Sequence, residues 1–420
     1  MDGGAGELRT RVGSGARVTR PLPSWAEWQP SSPFTVGVEE EIMLLDPVDG
    51  SLAHDAERVL ADLSPHLHGE VSAETHACAL ELGVGPHEDV PALARELAGR
   101  RRELARVLRS RGVQAASAGT HPLAQWTDVQ VSSGARYQSV HRTMRELARR
   151  EPTFALHVHV GVEDPERAVA LFNRLRGHIP LFLAVSANSP FWQGRDSGLA
   201  SMRTPLFQAF PRVGIPRSFS DYAEWAEAVD LLLRCDAFPE PTFLWWDVRM
   251  QPRLGTVEVR VMDAQATAAE TGALCALVQS VARMELEERY LGPTLLASTE
   301  ALIENRFIAA RDGMSGELLD PAGDRRVPAP EILRDVIAHA RPHAEDLGCE
   351  DELDAVETLG ERTGAERQRE IAGPDGDLRE VLAGLVADFG AVGSTGRPRN
   401  RVHARLREMA RGARHRPPVR

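Results

Sequence analysis

An α+β fold, with an antiparallel sheet carrying helices on one side, is what the amino-acid sequence predicts, and three observations carry that prediction. Two-residue alternation of side-chain character marks residues 34–45, 154–161 and 255–262, which are far apart in the chain. Too few short strand–helix–strand units lie between them for a doubly wound parallel sheet. Beyond about residue 298 the pattern turns helical.

The elements follow in order. The first 30 residues are rich in Gly, Pro, Ser and Arg and read as a flexible arm. A strand over 34–45 ends at Asp46-Pro47-Val48-Asp49-Gly50, which is turn chemistry. A helix near 54–63 and a strand region near 69–82 come next. Leu93, Leu97, Leu104 and Leu108 recur at helical spacing, with Pro91 near the start and Gly112 past the end, so 89–111 is a long amphipathic helix. A short segment at 113–118 leads to Gly119-Thr120-His121-Pro122, read as a functional turn, and a helix covers 134–150.

Residues 165–185 are helical, with Pro180 expected to kink or divide them. The stretch from Ser186 through Ser218 is rich in Pro, Arg and aromatic residues and has little periodicity, as expected of a segment that encloses substrate. Helices at 220–236 and 265–290 flank paired strands at 243–249 and 255–262. Further helices are expected at 299–310, 329–342, 350–361, 365–371 and 376–389. Four units result: an arm to residue 30, a catalytic sheet domain over 31–298, a helical section over 299–390 packed on it, and a basic tail over 391–420.

Composition narrows the chemistry. The 420 residues carry a formal charge of -12, which disfavours nucleic acid as a partner. All 49 basic residues are arginine, and this excludes both a lysine Schiff base and a complete Walker A loop. Cys78, Cys235, Cys275 and Cys349 show no CxxC spacing, which fits a reducing, cytoplasmic compartment and gives no zinc ribbon. The arginines of the first 20 residues precede no apolar stretch, and no apolar run is long enough for a membrane span. Neither a nucleophile elbow nor a dinucleotide fingerprint is present, so covalent catalysis is disfavoured.

Acid groups are the positive signal. Glu39 and Glu41 share one strand face, ~7 Å apart at Cα, which suits one or two Mg2+ ions completed by phosphate oxygens. Glu74 and Glu81 form a second acidic group whose spacing does not define a common face. Glu258 and Arg260 lie opposite Val257, Val259 and Val261, where an ion pair competes with roles on metal and phosphate. His157 and His159 share a face as donors to phosphate, as metal ligands or as satisfied sheet histidines. Arg195, Arg203 and Arg249 lie near Asn188-Ser189-Pro190 or Trp245-Trp246-Asp247, regions dense in recognition groups. Carboxylates with arginines fit metal-assisted phosphoryl transfer.

Phe34-Thr35-Val36-Gly37-Val38-Glu39-Glu40-Glu41, Gly119-Thr120-His121-Pro122, His157-Val158-His159-Val160-Gly161, Ser186-Ala187-Asn188-Ser189-Pro190-Phe191-Trp192-Gln193-Gly194 and Gly255-Thr256-Val257-Glu258-Val259-Arg260 together resemble the bacterial type 2 glutamate-cysteine ligase, or carboxylate-amine ligase, family. The ordered matches run from about residue 33 to 390 and include Gly364-Ala365-Glu366-Arg367-Gln368-Arg369. The resemblance implies a glutamine synthetase-like fold, a curved antiparallel sheet forming a funnel with helices outside. It also implies ATP- and Mg2+-dependent joining of a carboxylate to an amine, with Mn2+ as a substitute ion.

Under that resemblance Glu39, Glu41, Glu74, Glu81 and Glu258 are expected to hold metal, and Glu39, Glu41, Arg203 and Arg260 to act in catalysis. His157, His159, Arg203, Arg260 and Glu258 are assigned to the nucleotide, and Glu81, Asn188, Arg195, Trp246 and Arg249 to substrate. The expected partners are small-molecule acid and amine substrates, neither nucleic acid nor membrane, with a homodimer as a compatible assembly. Around Glu81 this chain reads Leu80-Glu81-Leu82-Gly83-Val84 where family members often read Val-Glu-Thr-Ala-Thr, and 75–79 and 250–255 also differ. Loss of those hydroxyls places glutamate and cysteine in question more than ligation. The alternatives are a ligase for another acid and amine, a guanidino-type phosphotransferase, and a nonenzymatic nucleotide-binding protein.

Overall fold

A computed structural model describes residues 21–149 and 152–391. Most of the expected N-terminal arm (1–20) and all but the first residue of the basic tail (392–420) lie outside the described residues. Residues 21–30 are packed: Trp25 meets Trp225 edge-on at 5.5 Å, and the Trp28 indole donates to the Val162 carbonyl at 3.1 Å.

Seven strands form the main sheet: β1 (Val36–Leu45), β2 (Val71–Ala73), β3 (Ala79–His87), β4 (Gln114–Ala116), β5 (Ala155–Gly161), β10 (Val248–Gln251) and β11 (Thr256–Asp263). The intervening β6 (Phe191–Trp192) pairs with β7 (Arg195–Asp196), and β8 (Val213–Gly214) pairs with β9 (Trp245–Trp246). The order is β10-β11-β5-β1-β3-β2, with β4 beside the far end of β1, and every pairing in the main sheet is antiparallel. Register shifts between Val36 and Val38 and between Val259 and Met262 bend the strands and curve the sheet.

Helices cover the outer face. The one at Val90–Ser110 begins where the Asp89 carboxylate accepts the Ala92 amide at 2.7 Å and ends before Gly112 at φ 71°, as the leucine spacing predicts. It packs on the helix Ala268–Glu287, and together they bury the apolar side of β1, β3 and β5. Beneath them Glu40 receives both arms of Arg101 at 2.8 and 2.7 Å, with Arg101 also donating to the Ala266 and Gln265 carbonyls at 3.0 Å.

Pro180 divides the expected 165–185 helix, opening a second helix at Ile179–Ser186 after the first ends at Leu175. The expected 243–249 strand is two pieces: 245–246 pairs in parallel with 213–214, and the ladder strand starts at Val248. The strand region near 69–82 is likewise two strands, with Glu74 in the connection.

The C-terminal section contains a hairpin, β12 (Glu317–Asp320) with β13 (Arg325–Pro328), where only helices were expected. Its turn, Pro321-Ala322-Gly323-Asp324, is tied by Asp320, and Asn305 brackets Leu319 with two hydrogen bonds of 2.9 and 2.6 Å. Helices Ala329–Leu347 and Glu350–Glu361 pack on 268–287, while Arg306 of helix Thr299–Asp312 forks onto buried Asp247 at 2.5 and 3.1 Å. The section thus braces the sheet.

Candidate active site

Strand register assembles the inner face. Residues opposite each other in antiparallel neighbours share a face, and the pairs are Glu41 with Glu81, Glu39 with His157, His159 with Glu258, and Glu258 with Arg249. Five separate sequence segments therefore converge on one surface. Glu39 touches both histidines, at 3.2 Å to His157 Nδ1 and 3.4 Å to His159 Nε2. His157 Nε2 lies 3.9 Å from Glu41, whose other oxygen accepts the Ala155 amide at 2.7 Å.

Two subsites of opposite character result. Glu258 is fully buried and accepts from Arg249 at 2.8 and 3.1 Å, from Gln251 at 2.8 Å and from Arg260. Burial would raise its pKa, but Arg249 and Arg260 hold it well below the ordinary range. Glu39 is also lowered: burial opposes this, and hydrogen bonds from His157 and His159 outweigh it. Burial pushes His157 down to about 4, so its imidazole is neutral and free to ligate.

At Glu41 and Glu81 the compensation from Arg203, Arg260 and the Ala155 amide is too weak to offset burial and neighbouring carboxylates. Burial raises Glu41 to about 7, helped by the charge of Glu74, and burial with Glu39, Glu74 and Glu41 raises Glu81 well above its usual value. Glu41, Glu81 and His157 offer ligand atoms that all lie within 4.8 Å of one another, as do Glu39, His157 and Glu258. The first group fits a divalent cation: its half-buried carboxylates repel each other, and the buried His157 Nε2 has no hydrogen-bond partner. In the second group the Glu258 oxygens already accept four side-chain donors, so a metal there would compete with arginine.

A cavity opens beside this cluster. Glu41, Glu74, His157, Arg203 and Arg260 line it together with Tyr137, Val140, Phe207, Phe210, Trp245 and Arg136. Arg203 donates to the Val261 and Arg260 carbonyls at 2.9 and 3.2 Å, and the Nε groups of Arg203 and Arg260 are buried without partners. Glu74, whose role spacing left open, thus joins the acids through the turn between β2 and β3.

Other expected residues lie elsewhere. Trp246 packs on Phe172 and Phe219 at 6.4 and 6.2 Å, since alternation sends it and Trp245 to opposite sides. Arg195 is exposed on the β6–β7 hairpin. Arg249 spends its donors on Glu258 and on the Thr242 and Leu244 carbonyls, each at 3.0 Å.

Asn188 is buried, donates to the Ala264 carbonyl at 2.8 Å and accepts from Gln368 at 2.8 Å. It belongs to a packing node around Asp263, which accepts from the Asn188 amide and from Ser189 and Ser201 at 2.7–2.9 Å. A Cβ on Gly119 would stand 2.6 Å from the Asp263 carboxyl group, and one on Gly364 would stand 2.1 Å from Asn188. Gly119-Thr120-His121-Pro122 is consequently structural: Thr120 donates to the Phe191 carbonyl, and buried His121 bridges Gly50, Leu123 and Ala124.

Sequence reasoning missed Arg136 and Tyr137, which sit on an ordinary polar helix. Phe207 and Phe210 were covered only as part of the aperiodic, aromatic-rich segment before Ser218.

A family model described as glutamate-cysteine ligase family 2 matches residues 35–384. A candidate glutamate–cysteine ligase 2-1 of Rubrobacter xylanophilus is 39% identical over 357 residues, covering 85% of this chain and 95% of that one. A candidate glutamate–cysteine ligase 2 of Thermobifida fusca is 36% identical over 374 residues, covering 87% and 93%. Among solved structures, glutamate–cysteine ligase from Francisella tularensis in complex with AMP superposes with a TM-score of 0.62 at 12% identity, over 92% of this chain and 94% of that one. A bifunctional glutathione synthetase from Pasteurella multocida gives 0.62 at 13% identity, over 85% and 52%. At such identities the likeness is one of fold, and it agrees with the expected curved antiparallel sheet with external helices.

Proposed function

Because the chain belongs to glutamate-cysteine ligase family 2, we propose that it uses ATP and Mg2+, or Mn2+, to join a carboxylic acid to an amine through an acyl phosphate. The supporting observation is the half-buried, mutually repelling pair Glu41 and Glu81 beside neutral His157, adjoining two arginines with unpartnered Nε groups. When bound, the divalent ion would offset phosphate charge and align the γ-phosphoryl group for transfer.

The chain's own residues supply orientation and charge. Glu41, Glu81 and His157 would hold the ion, Glu39 fixes His157 through Nδ1, and Glu74 adds negative charge at the cavity. Arg203 would meet phosphoryl oxygens through its Nε and Arg260 through its Nε–Nη2 edge, with Arg260 anchored to Glu258 by Nη1. A substrate carboxylate oxygen attacks the γ-phosphorus and ADP leaves. The amine nitrogen then attacks the acyl carbon, the carbon–oxygen bond to phosphate breaks, and the amine proton is lost. No protein nucleophile is required.

Four cysteines without disulfides suit a reducing cytoplasm, and no helix among the described residues is long and apolar enough to cross a membrane. The test is incubation with ATP, Mg2+ and a pool of amino acids and amines, with products identified by mass and ADP measured. Amide with stoichiometric ADP is expected. A phosphorylated product without amide would replace this reading with a phosphotransferase, and no Mg2+-dependent nucleotide turnover would overturn it.

A further inference from the structure

The cavity has a second wall that phosphoryl transfer leaves unused. Phe207, Phe210 and Trp245 form a connected run, with ring centroids 5.5 and 6.1 Å apart, and all three present half-buried faces to the space that Val140 and Tyr137 complete. Such apolar surface is costly to leave against water and is suited to a hydrophobic or planar group. The wall begins at the reaction centre, because the Arg203 guanidinium lies 5.6 Å from the Phe207 ring centroid.

That proximity separates two occupants. Adenine is joined to the γ-phosphoryl group through a ribose and two further phosphates, so a base cannot stack on Phe207 while its γ-phosphoryl meets Arg203. The carbon skeleton of the attacking amine can. Its ammonium form would meet Glu74, which lines the same cavity as the three rings.

The cations around the cavity bear on what else the amine carries. Arg136 pairs with Glu240, donates to Thr242 at 3.1 Å and stacks 5.3 Å over Phe243. Arg260 is held by Glu258, and both Nη groups of Arg203 go to backbone carbonyls. His76 bonds to the Ala148 carbonyl at 3.0 Å. Only Arg260 keeps a two-nitrogen edge, Nε with Nη2, that no protein group among the described residues engages, and the ligase reading commits that edge to the phosphoryl group, so no second fork is left for an α-carboxylate. From these contacts we infer that the amine substrate is an arylalkyl or otherwise bulky apolar primary amine without a carboxylate. This inference rests on the ligase reading above.

The experiment measures amide formation with ATP and Mg2+, a pool of proteinogenic amino acids and simple dicarboxylates as acid, and single amines: methylamine, isopentylamine, phenethylamine and cysteine. Phenethylamine or isopentylamine should exceed both methylamine and cysteine in kcat/KM by about tenfold or more. Trp245→Ala should lower the ratio of phenethylamine to methylamine kcat/KM by about tenfold, with the KM for ATP moving less than about twofold. Phe210→Leu, a milder change, should shift the same ratio in the same direction and provides the test if the tryptophan variant does not fold. Cysteine as the best amine, or variants that raise the KM for ATP and leave amine selectivity unchanged, would overturn the inference while leaving the ligase reading intact. Absence of amide and ADP with every amine would instead remove the ligase reading beneath it.

Discussion

Glu40 and Glu41 are neighbours on one strand, yet they face two different electrostatic designs. On the outer face Glu40 is closed off by the Arg101 fork and the Thr271 hydroxyl, and Arg101 completes its own set on two carbonyls. On the inner face Glu41 meets another carboxylate, Glu81, across the strand pair and a neutral histidine beside it. Burial alone therefore does not distinguish a structural acid from a functional one. The distinction is whether the protein itself supplies the compensating charge.

The largest effect is expected on the closed face. Arg101→Met leaves Glu40 buried without its cation and should cost about 3–5 kcal/mol in urea unfolding. A second change, Glu40→Gln, should recover part of that loss. A cost below ~0.5 kcal/mol for Arg101→Met would mean that the outer pair is not compensated as described.

On the open face, Glu39→Gln removes the carboxylate that both histidines share. It should lower ADP release by about a hundredfold or more. Its urea midpoint should fall at neutral pH, because the lowered Glu39 pKa makes the ionised carboxylate a stabilising group there, while the protein remains folded. Undiminished turnover would remove Glu39 from the site.

Glu41 adds a stability signature with the opposite sign. Its pKa is raised from 4.5 to about 7, so the folded, metal-free protein binds the proton more tightly than the unfolded chain. Stability from this group is thus present below pH 4.5 and falls as pH rises to about 7. Glu41→Gln should therefore stabilise the metal-free protein at pH 8 by about 1–3 kcal/mol, with little gain at pH 5. Equal effects at both pH values, measured by thermal unfolding in a chelator, would contradict the raised Glu41 pKa. The smallest expected change is Thr271→Val, which removes one donor from Glu40 and should cost about 1 kcal/mol. A larger cost than that of Arg101→Met would assign the outer face to the hydroxyl.

Much of this was legible before the structure. Alternation alone separates Glu39 and Glu41 from Glu40, and it places both histidines and Glu258 with Arg260 on polar faces. Register was not legible, because pairing across strands depends on turns and packing far from each acid. Thus Glu41 opposite Glu81, or Arg101 on Glu40 from 61 residues away, left no local mark. Asp263 shows the same limit more sharply. A single acid at a strand end looks ordinary, yet Gly119, Asn188, Ser189 and Ser201 close around it. Gly119-Thr120-His121-Pro122, which reads as a functional turn, packs against this same node.

Calorimetric titration of Mn2+ into metal-free protein at pH 8, with a nonhydrolysable ATP analogue present, most directly tests the claim that the inner face awaits a cation. Wild type should bind, and Glu41→Gln and Glu81→Gln should each weaken binding by about tenfold or more while remaining folded. Unchanged Mn2+ affinity in both folded variants would contradict it.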